Sequence, residues 1–431
     1  MRTALPPIAR CLMQNSWSPH PRYRLYTRAD NYLAPLRNLF TRGSHEDGLR
    51  ALESEICRRF ESAAAVCVPM ARTGLLFGLQ ELIRPSQKVV MSPLTIIDVV
   101  NMVVLAGGIP TFADIDRRSC AMDPERAESL IDERTGAVLI THLHGETAGA
   151  RVFLEICRRK GVPLIEDASQ AFGALEGARR LGTIGDLGLY SFGFYKNVNA
   201  WHGGLLVSPD PALISRIRRR MAGLAPLPAL HWFRRSLFGL ATDLATAPPV
   251  FAAGIHPLLR LSLRRGIRAV NRRLDPEASA TRLKAVPLKY LYGMTAPQAH
   301  LVLHQLQHID ADSLVRIENA QRYQQALSSM PSLITPRNHE GLSNIYTYYP
   351  IQCADREALL SYALSRRRDF AAQFLRNCAD LPEFREFYRD CPNARAAARE
   401  LVLLPTYPRY PEAEIRKNVE TIREFLEATC S

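Results

Sequence analysis

Between Tyr190 and Gly204 the chain reads YSFGFYKNVNAWHGG, which sets one lysine, Lys196, among Phe192, Phe194, Tyr195 and Trp201. Aromatic neighbours desolvate an ammonium group and favour the neutral amine, the form that attacks carbonyl carbons. Most lysines are solvated surface charges, so the partners of this one decide its meaning. Upstream, Val162 to Ile165 reads as a buried strand that runs into Glu166-Asp167. A carboxylate at the C-terminal end of a strand in an α/β protein stands where ligands bind. Lys196 would hold an aldehyde carbon as a Schiff base while Asp167 keeps a ring nitrogen protonated. Those are the two groups that pyridoxal phosphate (PLP) chemistry asks of a protein.

The order EDASQAFGA, LGTIGDLGLYSF, the lysine and then GGLLVSPD resembles the DegT/StrS family of PLP-dependent sugar aminotransferases, over roughly Leu52 to Phe425 with one interruption. The resemblance implies an α/β fold of the fold-type-I PLP transferase kind. A large domain with a mixed, mostly parallel sheet flanked by helices would be followed by a smaller C-terminal α/β domain. It further implies that Lys196 is the Schiff-base lysine and Asp167 the pyridinium partner. Gln170 would lie beside the cofactor hydroxyl, and Ser191 would bind its phosphate. The family's phosphate-binding Gly-Thr pair falls at Ala71 and Arg72, with Thr73 and Gly74 shifted by two. A strand-to-helix turn of small residues aims N–H groups at an anion. Arg72 would pair with the phosphate directly, or the loop is a surface cap. Ile96 stands where relatives stack an aromatic ring, and so offers an aliphatic platform. Leu291 or a near neighbour replaces an asparagine that in relatives reaches the other subunit's phosphate. His142 matches a structural position, and His144 replaces a residue that faces substrate.

The 431 residues, 47% hydrophobic and 23% charged, suffice for a large core and a second domain. A formal net charge of +13 attracts anions. Nucleotide-linked substrates and anionic lipid both qualify, whereas nucleic acid is not expected because basic residues do not alternate with aromatics. The nine cysteines form no Cys-x-x-Cys pair, which fits reduced thiols in the cytoplasm. His142 and His144 lack a third ligand, so no metal is expected. Asp114 and Asp116 read as strand-end and turn residues. Pro6, Pro7 and Arg10 interrupt a secretory signal, and prolines 6, 7, 19 and 21 would spoil an amphipathic transit helix.

Strand and helix patterns alternate from Gly48 to Asp167, which argues a parallel or mixed sheet covered on both faces. The divisions expected are an N-terminal lead over 1–45, a PLP-binding domain over 46–290 and a small domain over 291–431. Within the second lies an apolar, arginine-rich insertion, about 211–287. Between Ser236 and Leu259 it carries one acid, Asp243, and no lysine or arginine. Two helices meeting at Pro248-Pro249, with Trp232 and Phe233 at one edge and Arg260, Arg264, Arg265 and Arg268 at the other, fit a hairpin over 226–273 on an anionic membrane surface. A packed insert and a true span are the other readings. The activity expected is transfer of an amino group from an amino acid, glutamate foremost, to a keto group on a nucleotide-linked or lipid-linked sugar-like acceptor, in a homodimer. The cytoplasm, or the inner face of the membrane, would be its place. A sugar dehydratase carries histidine at the lysine position and is the enzymatic alternative. A non-catalytic membrane-associated regulator or scaffold on the same fold is the other.

Overall fold

The computed structural model describes residues 18–25, 32, 45–264, 281–338 and 341–430. Expectations for the rest of the 1–45 lead, and for Arg265 and Arg268, fall outside these residues. The centre is a seven-stranded sheet of β1 (Ala64–Val68), β2 (Lys88–Met91), β3 (Ile109–Phe112), β4 (Thr135–Thr141), β5 (Leu164–Asp167), β6 (Leu187–Ser191) and β7 (Gly204–Ser208), in the order β1-β7-β6-β5-β4-β2-β3. Only β7 runs against its neighbours; the other six are parallel. Buried on both faces, these strands are near-continuous apolar runs. Alternate residues go to opposite sides: Leu139, Ile165 and Leu189 join one apolar cluster, while Val138, Ile140 and Leu164 join another.

The flanking helices follow from amphipathic spacing. In α1 (His45–Phe60), Leu52, Ile56 and Phe60 pack on Phe172, Tyr190 and Leu205. On the opposite face lie α2 (Ala71–Leu82) and α3 (Ile97–Leu105), through Leu75, Leu79, Val100 and Val103. α4 (Ala150–Lys160) ends on three basic residues and Gly161 at φ 68. Cations there complement the helix dipole, and glycine takes the left-handed cap without a Cβ penalty. The mixed, mostly parallel sheet flanked by helices agrees with the fold read from sequence.

α5 (Pro211–Arg220) leads into the insertion, where α6 (Ala229–Ala245) breaks before Pro248 and the chain resumes at a bend of 67° through Pro248–Val250 and a π-turn into α7 (His256–Arg264). Two helices do meet next to the prolines, but at a bend rather than a reversal of the chain. Trp232, expected at its apolar edge, instead turns inward to pack 5.8 Å from Trp201. No single helix among the described residues is long and apolar enough to cross a membrane, though the bent pair together meets that length and composition.

After α8 (Ala296–Leu306) and α9 (Ile309–Leu327) comes a second sheet, antiparallel, of β8 (Tyr349–Gln352), β9 (Ala371–Ala372) and β10 (Leu401–Leu404) in the order β8-β10-β9. α10 (Arg356–Ser365), α11 (Pro392–Glu400) and α12 (Glu412–Cys430) complete it. Its core joins Tyr323 and Leu327 to Tyr349, Ile351, Leu404, Ile415 and Ile422. The two regions are stitched by the pairing of Leu94–Thr95 with Arg376–Asn377.

Candidate active site

Topology alone brings the sequence-predicted residues to one edge. β1, β2, β4, β5 and β6 are parallel, so their C-terminal ends share an edge, and antiparallel β7 starts there. Asp167 ends β5, Ser191 ends β6, and Gly204 opens β7 as the register partner of Ser191. Met70, after β1, bridges Gly203 and opens α2 at Ala71. Ile96 follows β2 and opens α3, packed against the core.

Lys196 sits in a loop whose backbone is held out of the usual regions. Tyr195 has φ 61 and Trp201 φ 59. Non-glycine residues held there cost on the order of 1–3 kcal/mol each and cluster at functional sites. The packing that holds them is visible: Trp201 and Val198 are buried, and Ala200 donates its N–H to Phe192 O at 2.9 Å. Burial holds the Lys196 ammonium below its ordinary pKa. The Asp167 carboxylate opposes this, and the Arg72 guanidinium adds to it. These three charges therefore act on one another, as expected of one site.

Asp167 is buried, and its Oδ1 accepts the Ser169 N–H at 3.0 Å. Gln170 Oε1 accepts the His144 N–H at 3.0 Å, while its carbonyl accepts the Thr347 hydroxyl at 2.6 Å. Ser191 Oγ accepts the Gly193 N–H at 3.3 Å. Met70, the N-cap of α2, offers the first-turn N–H groups no side-chain hydrogen bond. Gly204 leaves them room: a Cβ there would lie 2.6 Å from Ala71 N. Arg72 is an ion-pair partner of Asp98 and lies 5.1 Å over the Tyr290 ring, whose hydroxyl donates to Asp98 at 2.8 Å. Thr73, buried, donates to Tyr290 O at 2.8 Å, so its hydroxyl is spent within the chain. Leu291 packs partly buried against the core.

The histidines have structural duties. His142 Nδ1 accepts the Ala148 N–H at 3.0 Å, so Nε2 carries the proton toward Glu166 at 3.1 Å. Glu166 also accepts N–H groups of Gly182, Ile184 and Gly185. Burial pushes its carboxyl upward, but the His142 bond and these donors bring it net below the ordinary range. His144 Nε2 accepts from Gln373 at 2.7 Å, and burial lowers its pKa to about 4. Asp114 caps α11 by accepting the N–H groups of Asn393 and Ala394, and Asp116 accepts those of Arg118 and Ser119. Both aspartates are thus the strand-end and turn residues that the sequence indicated.

Sequence reasoning missed a set of neighbours. Lys196 lines a cavity with Arg22, Tyr23, Arg24, Asn197, Arg316, Thr347, Tyr348 and Tyr407. The Asn197 carboxamide is buried there with neither its nitrogen nor its oxygen hydrogen-bonded among the described residues. A buried amide without partners is costly in a resting protein, and a ligand carrying donors and acceptors would satisfy it. With the buried Asp167, the open α2 start and Gly204, the site fits PLP. The one available signal was the acid-free lead with arginines at 22 and 24.

Comparison with known proteins agrees. The sequence profile of the DegT/DnrJ/EryC1/StrS aminotransferase family matches residues 36–244 and 268–423. The spore coat polysaccharide biosynthesis protein SpsC of Bacillus subtilis (strain 168) is 25% identical over 390 residues, covering 88% of this chain and 89% of its own. Two solved structures share the fold. The sugar aminotransferase CalS13 from Micromonospora echinospora has a TM-score of 0.73 at 19% identity, with 94% of this chain and 100% of the other covered. The E. coli GDP-4-keto-6-deoxy-D-mannose-3-dehydratase with bound hydrated PLP has a TM-score of 0.71 at 14% identity, with 94% and 99% covered.

Proposed function

The chain belongs to the DegT/DnrJ/EryC1/StrS aminotransferase family and is a PLP-dependent aminotransferase, and from that premise we propose that it transfers the amino group of an amino acid, glutamate foremost, to a keto group of a nucleotide-linked or lipid-linked sugar-like acceptor. The observation that carries the reading is a desolvated Lys196 acting with buried Asp167 at the C-terminal edge of the sheet. When bound, PLP supplies the electron sink that acidifies the donor's α-C–H. Asp167 would hold the ring nitrogen protonated. Ser191, the α2 N-terminus at Ala71 and Arg72 would hold the phosphate. Gln170 would sit beside the ring hydroxyl, and Ile96 would flank the ring. Lys196 Nζ, whose hold on its proton burial weakens, would remove the α-proton as general base and return it as general acid. The dehydratase alternative shares the fold, and the lysine at 196 is what speaks for transamination. The test is release of 2-oxoglutarate from glutamate across a panel of keto-sugar nucleotides. Continuous release, beyond one equivalent per site, that does not depend on an acceptor would contradict the proposal.

The proposal includes a homodimer and a PLP-binding domain over 46–290 followed by a small domain over 291–431. It also places the insertion on an anionic membrane. Of the fifteen large hydrophobic side chains that are exposed among the described residues, nine lie between Leu230 and Leu261. On α6 they include Leu230, Phe233, Leu237, Leu240 and Leu244, spaced three and four apart along one stripe. Patches of this kind mark interaction surfaces. Arg234 is exposed on the same face, and the one acid of α6, Asp243, is turned inward to the Tyr32 hydroxyl at 2.6 Å. Flotation with anionic liposomes should fall sharply when residues 226–273 are removed. Equal flotation, or a change from dimer to monomer instead, would assign the stripe to protein contact.

A further inference from the structure

The loop that carries Lys196 is gripped on both sides of the lysine by one helix, α6. Before the lysine, Phe194 meets Phe238 edge-on with ring centres 5.4 Å apart. Beyond it, the Trp201 carbonyl accepts a bond from Arg235 Nη1 at 2.6 Å. The Trp201 ring lies 5.8 Å from that of Trp232 and is stacked at 5.5 Å on Tyr32, whose hydroxyl donates to Asp243 of the same helix at 2.6 Å. Gly239 completes the grip by having no side chain: a Cβ there would lie 2.8 Å from Trp201 Nε1 and 3.3 Å from Cε2. Helix and indole are therefore in direct contact.

Trp201 needs such a hold. Its backbone stands at φ 59, a region that a non-glycine residue keeps only where its surroundings over-determine it. Its indole nitrogen is buried without a hydrogen-bond partner among the described residues, so the ring is fixed by packing. The residues on either side of it are held from α8. The backbone of Asn199 exchanges two bonds with the Gln305 side chain, at 3.0 and 2.7 Å, and the His202 carbonyl accepts from Gln298 at 3.2 Å. The Trp201 carbonyl is bonded from α6 instead.

We infer that α6 clamps the lysine loop, and that Arg235 and Gly239 are positioning residues that act through Trp201 to set where Lys196 Nζ stands in the site. The inference rests on the proposed role of Lys196 and gives the insertion a second duty. The outer face of α6 carries the exposed stripe, and its inner face serves the chemistry.

The test is the pH titration of the visible band of the PLP-loaded full chain, which reads the proton held at the lysine nitrogen and needs no turnover. Arg235→Gln removes the bond to Trp201, and Gly239→Ala pushes the indole with no change of charge. Loosening the loop admits water and relieves the desolvation that weakens the nitrogen's hold on its proton. Both variants should therefore raise the midpoint, by about half a pH unit or more, with Asp167 and Arg72, the charges that act on Lys196, left in place. Arg235→Lys should recover part of the shift. Gly254→Ala, a methyl added to the same insertion where it meets nothing within 4 Å, should leave the midpoint unmoved. With glutamate, kcat should fall on the order of ten- to a hundredfold while KM changes less. Melting temperatures within a few degrees of wild type show that the variants fold, and Trp232→Leu is the charge-neutral replacement should Gly239→Ala fail that check. An unmoved midpoint in either variant overturns the clamp; a shift confined to Arg235→Gln is what charge alone would give. If no acceptor is ever aminated while both midpoints still move, the aminotransferase reading fails and the clamp stands.

Discussion

The C-terminal edge of the sheet and the outer face of α6 treat apolar side chains in opposite ways. Around Lys196 the large rings of Phe192, Trp201 and Tyr190 are fully buried, so polar groups at the edge are held in fixed places by a packed interior. Along α6 the stripe from Leu230 to Leu244 faces outward, while Trp232 and Gly239 face in toward Trp201. The difference teaches where each surface is completed. The edge is shaped for a small molecule that needs precise dipoles, and under the proposed reading the stripe is covered by something broad and apolar. The two are neighbours: Phe238 of α6 meets Phe194 edge-on at 5.4 Å, and Arg235 donates to Trp201 O at 2.6 Å.

Substitutions can break this contrast, and the largest effect belongs to the edge. Asp167→Ala should lower turnover on the order of a thousandfold, as expected when a fixed electrostatic partner of the reacting system is lost. Steady-state kinetics with the fold checked by circular dichroism would measure it; a loss under tenfold would remove Asp167 from the site. Next comes the charge buried beneath that edge. Glu166→Ala strands the N–H groups of Gly182, Ile184 and Gly185 and the His142 ring, and should cost about 3–5 kcal/mol in urea unfolding.

Acid should act through the buried histidines. His144, His202 and His256 are lowered to about 4, burial being the first cause in each. The unfolded chain, with ordinary histidines near 6.5, then binds more protons than the folded one between those values. Stability should therefore be fully present above about 6.5 and decline as pH falls toward 4. A flat urea midpoint across that window would contradict the burial assigned to them. The smallest effect belongs to the insertion. Phe233→Ser with Leu237→Ser, both exposed, should change stability by no more than about 0.5 kcal/mol, yet reduce liposome flotation. Strong destabilisation would show that the stripe is covered within the protein itself.

The same contrast governs what the sequence revealed. Lys196 and Asp167 could be nominated because chemistry restricts which residue types serve and strand ends restrict where they stand, whereas Gln170 and Ser191 were nominated through the family resemblance. The parallel or mixed character of the sheet followed from the alternation of strand and helix patterns. The spacing of Leu230, Phe233, Leu237, Leu240 and Leu244 was present in the sequence, but periodicity says only that a helix has an apolar side. It does not say whether that side faces inward. Arg72 was read toward phosphate, and its engagement by Asp98 and Tyr290 depended on a segment more than half the chain away.

The central claim is that Lys196 binds PLP and releases it to an amino donor. The most direct measurement is the visible absorbance of the purified, PLP-loaded protein before and after glutamate, beside Lys196→Ala. The account predicts a yellow band that the substitution removes and that glutamate converts to a shorter-wavelength form. A protein that takes up no PLP, or one whose spectrum is the same with alanine at position 196, would contradict it.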